Sequence, residues 1–198
     1  NSFNKELALA IQSALDSYAK DPEVRAIMIT GNGKAFCAGQ DLQEAIADNG
    51  LEIEQIVEEH YNPIVKQLRS IEKPIVAAVN GVAAGAGANI ALACDVVVAT
   101  ESASFIQAFS KIGLIPDSGG TFTLPRIIGF GKASALMMLG DKVSATEAEQ
   151  MGMIYKVVRD DAFVEEAEKV AQKLANMPTK GLAYTKHLLN QSIVSNLD

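Results

Sequence analysis

Two loops rich in small residues could bind a substrate between them. The first, Phe36-Cys37-Ala38-Gly39-Gln40-Asp41-Leu42, follows the apolar segment Val24–Thr30, and the second, Gly81–Ala88, follows the apolar segment Ile75–Val79. Both apolar segments are predicted to be buried, parallel strands. Because open α/β sheets bind ligands at the carboxyl ends of their strands, we expect the two loops to converge.

The second loop also begins a predicted helix that runs to Ala93. Its opening residues Gly85, Ala86 and Gly87 have little or no side chain, so a substrate oxygen could approach the unpaired amides of the first turn. Such amides would form an oxyanion hole. Close packing of the helix on a strand explains the same small residues equally well.

Asp117 is the third feature that could carry chemistry. It follows the apolar run Leu114–Pro116 and precedes Ser118-Gly119-Gly120. In an apolar pocket, loss of hydration would raise the pKa of Asp117 and suit its carboxyl to proton transfer near neutral pH. Alternatively, Asp117 could cap the helix predicted to run through Leu124 to Ile128.

Other common catalytic motifs are incomplete. Gly85–Ile90 imitates a dinucleotide fingerprint but has Ile90 at the third glycine position, and Gly131–Ser134 lacks the spacing of a phosphate-binding loop. His60 and His187 lie in helical runs without a nearby cysteine or carboxylate pattern, so we expect surface or hydrogen-bonded histidines and no metal site.

Composition favours one globular domain spanning residues 1–198, with 48% hydrophobic and 21% charged residues. A net charge of -7 opposes binding to nucleic acid. Cys37 and Cys94 are predicted to be buried thiols in a reducing cytoplasm. The apolar stretch Pro74–Ile90 is too short and too rich in glycine to indicate a membrane span.

The order of elements predicts an α/β fold. The predicted strands are Val24–Thr30, Ile75–Val79 and a third within Asp95–Thr100 that contains Val96–Val98. They are separated by helices, which favours parallel pairing. The sequence Ser144-Ala145-Thr146-Glu147 predicts a capping box, and Asp161 is expected to cap a later helix.

Three motifs together resemble the crotonase (enoyl-CoA hydratase/isomerase) superfamily. They are Lys34–Leu42, Asn80–Gly87 and Gly113–Thr121, and the likeness extends over essentially the whole chain. His60–Pro63 and Ala108–Lys111 are similar to the 1,2-epoxyphenylacetyl-CoA isomerase branch. The resemblance implies a spiral of ββα units followed by C-terminal helices.

The resemblance also implies a substrate and its binding site. The substrate would be a coenzyme A thioester, with no metal and no separate cofactor, since coenzyme A belongs to the substrate. The oxyanion hole maps onto the backbone amides of Gln40 and Ala86. Residues expected to contact the substrate or coenzyme A are Ala38, Gly39, Gln40, Asp41, Leu42 and Ala86. A homotrimer or hexamer is expected.

Departures from the family pattern bear on the reaction. The two glutamates of family hydratases correspond here to Asn89 and Phe109, and Phe109 cannot transfer a proton. Asp117 occupies the position of the catalytic carboxylate of several isomerases, so an acyl-CoA isomerase is favoured. Hydration or another crotonase-type reaction is the enzymatic alternative, and an RNA-binding or scaffold protein is the non-enzymatic one.

Family members begin with a strand before the position of Asn1 and end with further helices. We therefore expect an N-terminal strand and C-terminal trimerisation or lid helices to be missing from this chain.

Overall fold

The computed structural model describes residues 1–41, 44 and 52–196. Helix α1 (Lys5–Lys20) begins after Asn4, whose side-chain oxygen accepts a hydrogen bond from the Leu7 amide at 2.9 Å. This bond satisfies one of the amides left unpaired at a helix start. The helix ends at Asp21, as the Asp21-Pro22 pair predicts.

The remaining elements of the described residues alternate between strands and helices. The strands are β1 (Ile27–Thr30), β2 (Ala35–Cys37), β3 (Ile75–Val79), β4 (Val82–Ala84), β5 (Val96–Thr100), β6 (Ser104–Ile106), β7 (Lys142–Ser144) and β8 (Lys156–Val158). The further helices are α2 (Ile53–Ile56), α3 (Asn62–Ser70), α4 (Ala86–Ala93), α5 (Gly120–Ile128), α6 (Phe130–Leu139), α7 (Ala145–Gln150), α8 (Phe163–Ala175) and α9 (Thr179–Ser192). A π-helical turn, Val57–Tyr61, joins α2 to α3.

The strands form two four-stranded sheets. One has the order β1, β3, β5, β8 and is parallel throughout. The other has the order β2, β4, β6, β7 and is parallel except for the antiparallel pair of β6 and β7. Successive strands β1 to β6 alternate between the sheets, and each pair is followed by helix. The predicted α/β spiral of ββα units is confirmed, with helices at its C-terminal end.

Helix α4 lies at the centre of the fold, and all eight of its residues are buried. Strand β3 beside it is buried along its whole length. A helix can approach a strand this closely only where side chains are small. A Cβ atom at Gly87 would stand 2.6 Å from the Cys37 Cβ and 2.7 Å from the Cys37 carbonyl oxygen. The absence of a side chain at Gly87 therefore lets α4 rest directly on β2.

Several local predictions are confirmed and one is wrong. The Ser144 and Glu147 capping box is present, and both cysteines are buried free thiols. Asp161, however, does not cap α8: the N-cap residue is Ala162, with no side-chain cap bond. The Asp161 carboxylate pairs instead with Arg159, because a 3-10 turn carries it away from the helix start.

One strand boundary also differs from that predicted. Strand β1 begins at Ile27 rather than Val24, because the Val24 amide closes a turn onto the Asp21 carbonyl. Strand β5 lies within the predicted segment Asp95–Thr100 and ends at Thr100 as predicted. Among the helices of the described residues, none combines the length and the apolar character needed to cross a membrane.

Replacement of Gly87 by alanine is expected to lower the free energy of unfolding by about 1–3 kcal/mol, because the new methyl group meets β2. Gly131→Ala is the matched control: Gly131 lies in α6, and a Cβ there has no neighbour within 4 Å. This second change should be neutral or stabilising by about 0.5–1 kcal/mol. Urea unfolding of both variants checks the pair, and equal effects would contradict the packing argument.

Candidate active site

The first loop is held by a short parallel pairing between Phe3 and Gln40. The Phe3 amide donates to the Gly39 carbonyl at 2.7 Å, and the Asp41 amide donates to the Phe3 carbonyl at 2.7 Å. Because successive peptide groups of an extended chain face opposite sides, the Gln40 N–H faces away from Phe3. Within the described residues, the Gln40 N–H donates no hydrogen bond.

The second loop brings the start of α4 to the same place. Ala86 is the first residue of α4, so its N–H has no partner inside the helix. A Cβ at Gly39 would stand 3.9 Å from the Ala86 nitrogen, and one at Gly85 would stand 4.0 Å from the Gly39 Cα. The structure therefore brings the two loops face to face, and no side chain separates their backbones.

Asp117 is half-buried in the turn before α5. Burial raises the pKa of the Asp117 carboxyl to about 6, against a smaller lowering by the Ser118 hydroxyl, which donates to its Oδ1 at 2.8 Å. The Asp117 side chain does not cap α5, because the N-cap residue is Gly119 and no side-chain cap bond forms. Asp117 is thus a proton acceptor or donor suited to near-neutral pH.

The turn that carries Asp117 is conformationally constrained. Ser118 is buried and has φ 50°, which makes it the one non-glycine residue with positive φ in the described part of the chain. Serine rarely adopts this region, and such outliers concentrate at functional sites. The conformation is held by backbone bonding, in which the Gly120 amide donates to the Asp117 carbonyl at 2.8 Å.

Asn89 and Gln107 hold the same turn from the core. The buried Asn89 donates through Nδ2 to the Asp117 carbonyl at 2.9 Å, and Gln107 Nε2 donates to Asn89 Oδ1 at 2.8 Å. Phe109 is also buried, and its ring Cζ lies 3.7 Å from the point that a Cβ atom would occupy at Gly85. The two positions that the family resemblance assigns to the hydratase glutamates thus hold a hydrogen-bonded amide and a buried aromatic ring.

Tyr61 is the residue that sequence analysis missed. It is buried, and its hydroxyl donates a hydrogen bond to Gln40 Oε1. Burial and the negative charge of Asp117 raise the pKa of Tyr61, so its hydroxyl stays protonated. The available signal was its place in the His60–Pro63 motif, which marked a branch of the family without assigning Tyr61 a role.

The two histidines differ in environment. His187 is exposed, as predicted, whereas His60 is buried and its Nε2 has no hydrogen-bond partner among the described residues. The prediction of a surface or hydrogen-bonded histidine is therefore wrong for His60 Nε2. His60 lies in the π-helical turn with its side chain in the core. Within residues 1–41, 44 and 52–196, no group of three or more potential ligand side chains could hold a metal ion.

The other residues predicted to contact the substrate or coenzyme A belong to the first loop. Ala38 is exposed and its amide donates to the Asn1 carbonyl at 2.8 Å, while the Asp41 carboxylate accepts from the Ser2 hydroxyl at 3.1 Å. Gly39 is buried between the two backbones. Leu42, which belongs to the same prediction, lies outside the described residues.

The chain belongs to the enoyl-CoA hydratase/isomerase family, which it matches over residues 1–198. This result confirms the family resemblance.

Some relatives of the chain are named as isomerases and others as hydratases. The chain is 44% identical to the 1,2-epoxyphenylacetyl-CoA isomerase of Escherichia coli, over the whole chain and 77% of that protein. It is 42% identical to a probable enoyl-CoA hydratase of Rhodobacter capsulatus, over the whole chain and 76% of that protein. A crystal structure of a putative enoyl-CoA hydratase/isomerase from Mycobacterium abscessus superposes with a TM-score of 0.93 at 37% identity, covering 99% of this chain and 76% of the other.

The raised pKa of Asp117 predicts a pH-dependent stability difference for Asp117→Asn. The folded protein holds this proton to about pH 6, against the ordinary value of 3.8, so the free energy of unfolding falls as pH rises between these values. Above about pH 6 the charged, half-buried carboxylate destabilises the fold by about 3 kcal/mol. Asp117→Asn should therefore be more stable than the parent by about that amount at about pH 8, with no gain at about pH 3.

Urea unfolding at the two pH values measures this difference. Asp141→Asn, which changes an exposed carboxylate, is the control and should show little difference at either pH. A gain for Asp117→Asn that is equal at both pH values would contradict the raised pKa.

Proposed function

We propose that the chain is an acyl-CoA isomerase with one acid/base residue, Asp117, and an oxyanion hole formed by the amides of Gln40 and Ala86. Its proposed substrate is 2-(1,2-epoxy-1,2-dihydrophenyl)acetyl-CoA, with conversion of 3-enoyl-CoA to 2-enoyl-CoA as a further activity. The observation that carries the proposal is the half-buried Asp117 carboxyl, whose pKa is raised by burial to about 6. Its turn is hydrogen-bonded to Asn89 of α4, the helix that begins at the second loop. The E. coli isomerase at 44% identity supports the choice of substrate.

The proposed steps balance with a single carboxylate. For a 3-enoyl-CoA, the thioester oxygen accepts hydrogen bonds from the Gln40 and Ala86 amides while the Asp117 carboxylate removes a proton from C2. The C2–H electron pair forms a C1=C2 bond, and the carbonyl π electrons move to the thioester oxygen. The resulting dienolate carries the negative charge on that oxygen and keeps its C3=C4 double bond. Protonated Asp117 then returns the proton to C4, the C2=C3 bond forms, and the carbonyl is restored.

The magnitudes of these effects suit the reaction. Each oxyanion-hole donor typically lowers a barrier by about 3–4 kcal/mol. A positioned general base contributes roughly 10²–10⁴-fold in rate. With a pKa of about 6, most Asp117 side chains are ionised at neutral pH, yet the protonated form is acidic enough to return the proton.

The same parts would act on the ring epoxide. The two amides would stabilise the charge that develops on the thioester oxygen while Asp117 removes a proton from the carbon next to the thioester carbonyl. The C–C bond shared by the epoxide and the six-membered ring would break, and its electrons would become part of the double bonds of a seven-membered oxepin ring. Protonated Asp117 would then return the proton to a ring carbon. No redox partner is needed, since the rearrangement leaves the overall composition unchanged.

Hydration is the second candidate, and the R. capsulatus relative named as a probable enoyl-CoA hydratase favours it. The usual pair of glutamates is replaced by Asn89, which is bonded to the Asp117 carbonyl, and by the buried Phe109. Water activation would therefore fall to Asp117 as well. The net charge of -7 opposes the RNA-binding alternative.

The wider proposal includes coenzyme A contacts along residues 38–42 and assembly as a homotrimer or hexamer in the cytoplasm, without a metal or a separate cofactor. Apolar side chains exposed on α6 and α9, among them Phe130, Met138, Leu188 and Leu189, support assembly.

Asp117→Asn is expected to reduce 3-enoyl-CoA isomerisation by about 10²–10⁴-fold, because asparagine cannot accept the C2 proton. The rate of formation of the conjugated 2-enoyl thioester, followed by its absorbance, measures this change. In the unmodified protein, kcat/KM should rise with pH and level off above about 6, since the base must be ionised. Asp141→Asn serves as the control with an exposed carboxylate and should keep full activity.

Two results would contradict the proposed function. One is full isomerase activity in Asp117→Asn. The other is a product heavier by one water molecule, detected by mass spectrometry, which would identify a hydratase.

A further inference from the structure

The π-helical turn Val57–Tyr61 has a local cause in the sequence. Pro63 has no N–H, so the Glu59 carbonyl loses the donor that an α-helix would supply four residues later. The helix widens here, and the Asn62 amide donates to the Val57 carbonyl five residues back. Such turns are rare and frequently occur at functional sites.

Helix α1 stabilises this turn. Gln12 Nε2 donates to the Glu59 carbonyl at 2.8 Å and to the His60 carbonyl at 3.2 Å. The donor that Pro63 lacks is thus replaced by a side chain from another element. The turn is therefore tied to α1 by two hydrogen bonds from one side chain.

The consequence of the turn is the position of Tyr61. The Tyr61 ring packs edge-on against Phe3, with ring centroids 5.5 Å apart, and its hydroxyl donates to Gln40 Oε1. Gln40 Nε2 in turn donates to Glu44 Oε2 at 3.1 Å. Phe3 also pairs with the Gln40 backbone. The Gln40 residue is therefore held by its main chain and by both polar atoms of its side chain.

We propose that Tyr61 is a positioning residue of the oxyanion hole. Through its hydrogen bond to the Gln40 side chain, Tyr61 fixes the direction of the Gln40 backbone N–H. The inference rests on the proposed function, since it assigns that N–H to the thioester oxygen. An oxyanion-hole donor is effective only when it is aimed at the oxygen before the reaction begins. The Tyr61 hydroxyl limits rotation of Gln40 and so keeps this N–H aligned with that of Ala86.

Tyr61→Phe keeps the ring and removes only the hydrogen bond. We expect kcat for 3-enoyl-CoA to fall about 10- to 100-fold, with KM changed less than about threefold, because misalignment weakens stabilisation of the transition state more than substrate binding. Tyr18→Phe is the matched control, since Tyr18 is 47% exposed in α1, and it should leave both constants unchanged. Unchanged kcat in Tyr61→Phe would overturn the inference.

A double-mutant cycle tests whether Tyr61 acts through the Gln40 side chain. Gln40→Leu breaks the same hydrogen bond from its other end and keeps the backbone N–H. The two single variants should lose similar activity, and the double variant should lose no more than either one. If the double variant instead loses activity by the product of the two single losses, the inference is overturned. If Tyr61→Phe does not fold, the infrared measurement below is made on Gln40→Leu, where an undiminished carbonyl shift would overturn it.

A spectroscopic measurement separates this inference from the proposed reaction. Butanoyl-CoA labelled with ¹³C at its carbonyl has no double bond to move, so its carbonyl stretch in the bound state reports polarisation alone. In infrared difference spectra, the unmodified protein should shift this band to lower frequency, and Tyr61→Phe should shift it less. Equal shifts would overturn the role of Tyr61 while leaving the isomerase proposal intact. The absence of any shift in the unmodified protein would overturn both.

Discussion

The close approach of α4 to the first loop is the contact on which the site depends. At Gly39, Gly85 and Gly87 the two backbones meet without an intervening side chain, and Cys37 fills the remaining space beneath them. This contact places the Ala86 nitrogen 3.9 Å from the position that a Cβ atom would take at Gly39. The two interleaved sheets supply the rigidity, since β2 and β4 are neighbours in one sheet and each carries one of the loops. The site is therefore formed mainly by backbone groups on a rigid framework.

Two aspartates show how the same side chain serves different purposes in this fold. Asp95 accepts from Arg69 at 3.1 Å, from Lys186 at 2.9 Å and from the Ile75 amide at 2.9 Å, so its charge is compensated and ties α9 to the core. Asp117 has one side-chain donor, the Ser118 hydroxyl, among the described residues. A carboxylate with so little compensation is costly to keep charged, which is the condition for proton transfer near neutral pH.

Much of the fold was predictable because its signals are local. The valine-rich and alanine-rich strands, the small residues at the start of α4 and the Ser144 capping box depend on neighbouring residues, and each is confirmed. The Asp161 cap failed because a 3-10 turn precedes α8, and such a turn leaves no periodic signal. Asp161 lies inside this turn, and its carboxylate pairs with Arg159 instead of an amide of α8.

The site was less predictable because its electrostatics depend on distant parts of the chain. The pKa of Asp117 depends on burial. Its turn lies against α3, which is distant in sequence: Val65 of that helix lies 3.3 Å from the point that a Cβ atom would occupy at the nearby Gly119. The contact of Tyr61 with Gln40 depends on a π-helical turn, which the hydrophobic period of a helix does not reveal. Pro63 was the visible sign, but a proline near a helix start has simpler interpretations.

The central claim is that Asp117 is a carboxyl group that changes protonation near neutral pH. Infrared difference spectra of the unmodified protein across pH, with the spectra of Asp117→Asn subtracted, isolate the carbonyl band of this protonated side chain. The account predicts that the band disappears with a midpoint at about pH 6. A midpoint near 3.8, the ordinary value for aspartate, would show that Asp117 is hydrated like a surface residue and would contradict the account.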